Sequence, residues 1–175
     1  MRPVNVKMSA AGSSSWVTIN QLQVSFGIGI GVSLTSGANL TYTVQHTFDP
    51  PDSHRTVSLS RTLTAVTVTD TAHGLSVGDS VIITGSGFAG GDGTYDVASV
   101  VDANTYTYTS GTSGSATGSD NTFVTSFRVF PHATLAALTS RADGNYAFPI
   151  QCVRLKLTAW VSGTADMTVL QAIGR

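Results

Sequence analysis

A single cysteine, Cys152, is all that the 175 residues carry. No intrachain disulfide can form, and a chain built without one fits a reducing compartment. Charge is also scarce. Charged residues make up 11% of the chain, against roughly 25% in an average soluble domain. With a net charge of −1, there is no basic field to hold nucleic acid or an anionic membrane, and neither partner is expected. No stretch is long and apolar enough to span a bilayer. Met1 to Ser15 lacks the apolar run of a secretory signal, so assembly in the cytoplasm is the expectation. The Asp and Glu residues together number 10. A polysaccharide-cleaving enzyme needs two carboxylates held at a set separation, and so poor a supply disfavours that class.

What is abundant is alternation. Val24, Phe26, Ile28, Ile30, Val32 and Leu34 fall on even positions, with Ser25, Gly27, Gly29, Gly31 and Ser33 between them. A spacing of two over this length is one face of a strand, because a helix would scatter the same residues around its circumference. The glycines opposite predict close backbone approach or a curved sheet. A phosphate-cradling loop would need a helix start after them, and Val32-Ser33-Leu34-Thr35 offers none. Leu40, Tyr42, Val44, His46 and Phe48 alternate again after the turn Ser36-Gly37-Ala38-Asn39, which predicts an antiparallel hairpin. Near the end, Val153, Leu155, Leu157 and Ala159 face one way. Ser162-Gly163 predicts a second hairpin, with Met167 to Gln171 returning. Leu135 to Leu138 has the spacing of one helical turn, and Asp143-Gly144-Asn145 reads as a turn.

Between these halves lies a different texture. Ala65 to Thr69 alternates, Gly74 and Gly78-Asp79 punctuate, and Ser80 to Thr84 resumes. Tyr95 and Val97 open another strand, and Thr105 to Thr109 closes the set. Short strands separated by Gly and Asp turns predict a small barrel or sandwich. Ser110 to Ser119 reads as a flexible linker or long loop. The predicted fold is all-β: an antiparallel β-sandwich, of which a jelly roll is one form, over residues 1–54 and 121–175, with an inserted small β-barrel module over 55–120.

The residues Ala72-His73-Gly74-Leu75-Ser76-Val77-Gly78-Asp79-Ser80-Val81, with Gly93-Thr94-Tyr95 and Ala103-Asn104-Thr105-Tyr106, resemble a β-module of phage structural proteins. That module is labelled after the first catalytic-cysteine half-domain of ubiquitin-activating enzymes, and here it contains no cysteine. The outer halves carry a second resemblance. Tyr42 to Pro50, Asp143 to Ile150, Val153-Arg154-Leu155 and Val169-Leu170-Gln171 resemble a family of small tailed-phage virion proteins. In that family the stretch like Phe48-Asp49-Pro50 runs by a short loop into one like Phe130-Pro131-His132. The resemblance implies a capsid decoration (cement) protein on the virion surface, with the major capsid protein as partner and a dimer or trimer as its form. A tail or fibre protein whose module binds a host glycan is the alternative.

Candidate sites are few, and no constellation specifies a reaction. His46, Asp49, Asp52 and His54 hold metal-ligand types close together, but two prolines separate the carboxylates, and no metal or other cofactor is expected. Gly90-Gly91-Asp92-Gly93 offers an anion nest or, more simply, a turn cluster. Ser14 lacks the strand-turn-helix setting of a nucleophile, and Cys152 lies mid-strand. No catalytic residue is assigned. Tyr95, Tyr106 and Tyr108 offer an aromatic platform for stacking a sugar or a base or, more simply, two of them fill the module's small core. Tyr106 and Tyr108 are the surface-recognition candidates.

Overall fold

The computed structural model describes residues 3–20, 27–51 and 53–171, and among them every regular element is a β-strand. In chain order the strands are β1 (Val4–Met8), β2 (Gly12–Ser13), β3 (Val17–Thr18), β4 (Ile28–Leu34), β5 (Asn39–Thr47), β6 (Arg55–Thr56), β7 (Ser58–Thr69) and β8 (Ser80–Thr84). There follow β9 (Gly93–Asp102), β10 (Thr105–Thr117), β11 (Phe123–Phe127), β12 (Phe130–Pro131), β13 (Ala142–Tyr146), β14 (Cys152–Ser162) and β15 (Ala165–Gln171). The chain divides into two units: Met1–Phe48 with Phe130–Arg175, and Asp49–Val129. The boundaries predicted from composition move accordingly. Residues 49–54 and 121–129 belong to the inserted unit, because β11 pairs with β8 and β6 there.

Unit 1 is an antiparallel sandwich. One sheet has the order β1-β15-β4-β13, the other β12-β5-β14-β2. The two share a long ribbon. Ile28 faces Gln171 and Leu34 faces Ala165 in the first sheet, while Asn39 faces Ser162 and Thr47 faces Cys152 in the second. The segments 28–47 and 152–171 thus run antiparallel throughout, creased in the middle so that each half lies in a different sheet. At the crease Thr35 N–H donates to the Thr164 carbonyl at 3.1 Å, and Thr164 N–H donates to Thr35 Oγ1 at 3.0 Å. Gly163 makes the return with φ +88°, and a Cβ there would lie 2.6 Å from Ala38 Cβ.

This geometry corrects both hairpins read from the sequence. β4 does not pair with β5, nor β14 with β15. Alternation tells which side chains seek a core, and it does not tell whether two consecutive strands reach that core from one sheet or from opposite sheets. Ile28, Ile30, Val32, Met167 and Val169 from one sheet meet Tyr42, Val44, Val153, Leu155 and Leu157 from the other in a single buried cluster. Val24 and Phe26, also read as strand, lie outside the described residues. The glycines of β4 do not serve close approach: a Cβ at Gly31 would meet nothing within 4 Å, and one at Gly29 only Leu170, at 3.9 Å.

Two further expectations change. Leu135 to Leu138 forms no helical turn; it lies along β5, with Tyr42 and Leu138 exchanging backbone hydrogen bonds of 2.9 Å. Asp143-Gly144-Asn145 is strand β13, paired with β4. Its glycine serves packing, since a Cβ would sit 2.8 Å from His132 Cε1 and 3.0 Å from Leu135 Cδ1.

Unit 2 is one six-stranded sheet of order β6-β11-β8-β9-β10-β7, curled into a half-barrel. It too rests on a ribbon. Thr69 faces Thr105 and Ser60 faces Thr117; beyond them Gly118 N–H bonds Leu59 O, Val57 N–H bonds Thr122 O, and Thr56 faces Phe123. The second strand of this ribbon bends, so that its start pairs with β9 and its end with β8. The β8–β9 hairpin is gripped between those ends. The supposed linker Ser110–Ser119 is largely strand β10. Its Ser, Thr and Gly look like linker by composition, yet the backbone hydrogen bonds of a ladder need no particular side chain. Val57, Val66, Val68, Val81, Ile83, Val97 and Val124 form the core with Tyr106 and Tyr108.

Candidate functional site

The core face of β5 runs Leu40, Tyr42, Val44 and His46. At its end the apolar column continues into solvent. Phe48, Phe130 and Phe148 are 47%, 43% and 46% exposed, and they surround a buried imidazole. The His46 ring stacks on Phe130 at 5.7 Å and meets Phe48 edge-on at 5.3 Å and Phe148 at 5.9 Å. Phe48 lies 5.6 Å from Phe130 and 6.1 Å from Phe148. β12 brings Phe130 into the cluster, because Phe130 is the register partner of His46.

Beneath the phenylalanines sits a buried polar base. Tyr146 Oη and His46 Nδ1 are 3.1 Å apart. His132 packs edge-on against Tyr146 at 4.7 Å, accepts the Thr134 N–H at Nδ1 and bonds the Asn145 carbonyl through Nε2 at 3.3 Å. Burial, reinforced by the neighbouring His132, lowers the His46 pKa to about 4. Burial also lowers that of His132. Both rings are therefore neutral near pH 7, and the neutral Nδ1 of His46 can accept the tyrosine proton. The site is a rigid aromatic surface on a neutral floor. It offers apolar area and ring edges. Each exposed ring neighbours a proline region: Asp49-Pro50, Pro131 and Pro149. That was the available sequence signal, an aromatic at a strand end stopped by proline, and sequence reasoning passed over it.

The residues singled out in the sequence go elsewhere. Tyr106 and Tyr108 are wholly buried, so they form no surface platform. Tyr108 stacks on Tyr95 at 4.2 Å and donates to the Gly91 carbonyl at 2.9 Å; Tyr106 meets His73 edge-on at 5.0 Å. Burial raises both phenol pKa values. The small hairpin core needs their volume, and volume decides their position. The Gly90–Gly93 loop turns its carbonyls toward Tyr95 and Tyr108, while Asp92 accepts the Gly85 and Ser86 N–H groups, so it is a braced turn. Of the metal-type set, His46 bonds Tyr146, Asp49 holds Arg128, His54 bonds Thr125, and Asp52 lies outside the described residues. Among the described residues no group of three His, Cys, Asp or Glu side chains is placed to hold a metal ion. Cys152 is buried and its thiol pKa raised by that burial, and Ser14 Oγ accepts the Leu155 N–H in a strand contact.

No protein-family model matches the chain, and no curated protein matches it. Among solved structures it is similar to the Phage phi92 endosialidase, with 23% identity and a TM-score of 0.40, over 58% of this chain. The match spans 14% of that protein's length, and a likeness at this level carries no argument about activity.

Proposed function

We propose that this chain is a non-enzymatic structural protein of a tailed-phage particle, and specifically a capsid decoration protein that binds the major capsid protein and stabilises the shell. The exposed phenylalanine cluster around His46 carries the reading. Contiguous exposed aromatics mark protein-docking surfaces, and rigid rings are the usual anchors of such interfaces. Among the described residues the cluster presents ring faces and edges over a buried histidine–tyrosine pair, which favours a protein partner over the host-glycan alternative, whose two tyrosines are buried. The strands β1 and β13 end their sheet, and such edges give a symmetric dimer or trimer a route to assemble.

The test is binding of labelled protein to separated phage heads and tails. Saturable binding to expanded heads, lost in a Phe48→Ser/Phe148→Ser variant, is the expected result. Binding to tails alone would move the protein to the tail, and head binding indifferent to the two substitutions would remove the patch from its role.

A further inference from the structure

Unit 2 contains a polar cavity that the docking surface does not use. It has a volume of about 290 Å³, and its walls include Arg55, Arg128, Ser126, Asp49 and the His73–Leu75 turn. Arg55 and Arg128 both line it, and each guanidinium is already paired. Arg55 donates from Nε and Nη2 to Asp70, at 3.1 and 2.6 Å, and from Nη2 to Ser126 Oγ at 2.9 Å. Asp70 beneath it is 3% exposed. Arg128 donates from Nη2 to Asp49 at 2.5 Å, and from its backbone N–H to the same carboxylate at 2.6 Å. The turn opposite is fixed as well: His73 Nδ1 accepts the Leu75 N–H, and Nε2 bonds the Asp102 carbonyl.

These pairings leave each arginine one terminal nitrogen, Nη1, without a partner among the described residues. Ser126 Oγ, which accepts from Arg55, still has its own proton to donate. Planar N–H donors held in place favour oxyanions, and their side-chain ordering cost is already met within the fold. The two aspartates offset the two arginine charges, so long-range attraction is weak. Selection must come from short-range donor geometry, which suits a ligand with one oxyanion. The volume lies near the lower bound of small-ligand pockets, roughly 300 Å³.

We infer that this cavity binds a compact ligand bearing a single carboxylate or phosphate, held by Arg55 Nη1, Arg128 Nη1 and the Ser126 hydroxyl. The inference stands on unit 2 alone and is independent of where the protein docks.

Amide chemical-shift titration of the full chain with glucuronate, glucose 6-phosphate and glucose tests it. Saturable shifts at Gly74, Ser126 and Arg128 with either anion, and none with glucose, are expected. Which anion binds tells carboxylate from phosphate. Arg128 is largely exposed, so Arg128→Gln keeps the fold, and it should weaken binding about tenfold, the loss of one charge-assisted hydrogen bond. Silence with both anions at millimolar concentration, equal response to glucose, or an unchanged affinity in Arg128→Gln with its amide dispersion intact would each overturn the inference.

Discussion

Both units are built on one long antiparallel ribbon, yet they bury different things. In unit 1 the ribbon is creased and its halves face each other, so aliphatic side chains from both layers fill the space between them. In unit 2 the ribbon bends around a single hairpin, and the interior holds more buried polar side chains. Arg61, Asp70, Asp79, Ser86, Ser110 and Thr122 are all buried there. Arg61 shows how that interior is held: its Nη1 donates to the Ala89 carbonyl and Thr112 Oγ1, and its guanidinium lies 4.9 Å from the Phe88 ring. A folded-over ribbon obtains its stability from apolar area. A curled one has less area to bury and depends on side chains that tie its loops.

The most direct way to break this comparison is to open a cavity in unit 1. Leu155 is fully buried between the sheets, and Leu155→Ala should cost about 2–5 kcal/mol. The measurement separates the units without labels, because both tryptophans, Trp16 and Trp160, belong to unit 1. Tryptophan fluorescence in a denaturant series should show the full shift. A Leu155→Ala chain whose fluorescence midpoint does not move would show that the shared core contributes little.

Acid should reach unit 1 through the base of the aromatic patch. The folded pKa of His46 is about 4, against roughly 6.5 in an unfolded chain. Between those values the unfolded state binds more protons, so stability falls as pH drops through the window and is fully present above it. The lowered His132 acts in the same direction. A loss of up to about 3 kcal/mol from pH 7 to pH 4 follows for His46, read as a falling denaturation midpoint, and His46→Phe should flatten the slope. An equally steep slope in that variant would assign the acid sensitivity elsewhere.

Gly163→Ala tests the crease itself. The residue has φ +88° and a Cβ would lie 2.7 Å from Ala38 Cα. Left-handed strain and that contact together should destabilise unit 1 by about 2 kcal/mol, visible in the same fluorescence midpoint. A neutral substitution would mean that the arch can relax.

The comparison also shows where the sequence was readable. Ile28, Ile30, Val32, Leu40, Tyr42, Val44, Val153, Leu155 and Leu157 are buried as their alternation requires, and the all-β class follows from the same pattern. Pairing partners were not readable, because 28–34 finds 165–171 across most of the chain and nothing local encodes that choice. The strand within Ser110–Ser119 was hidden by composition. The phenylalanine patch was hidden by sequence distance, since Phe48, Phe130 and Phe148 converge only after the insertion is bypassed. For Tyr106 and Tyr108 the sequence offers a surface platform and, with greater weight, a place in the module core, since aromatics on short strands pack; alternation alone does not separate the two.

Those tyrosines give the smallest and sharpest contrast. Tyr106 and Tyr108 share a strand face and are equally buried. Tyr108 donates its hydroxyl to the Gly91 carbonyl; Tyr106 Oη is buried with no partner among the described residues. Removing a bonded hydroxyl strands the carbonyl it served, and Tyr108→Phe should cost about 1 kcal/mol. Removing an unpartnered one ends a desolvation cost, so Tyr106→Phe should be neutral or stabilising by a few tenths of a kcal/mol. Both substitutions keep the ring and its packing, so the difference isolates the hydroxyls. Far-UV circular dichroism during denaturation measures it, since unit 2 contains no tryptophan. A Tyr106→Phe loss as large as that of Tyr108→Phe would mean that the Tyr106 hydroxyl is bonded in solution, and the interior of the curled ribbon would then be more fully satisfied than its geometry shows.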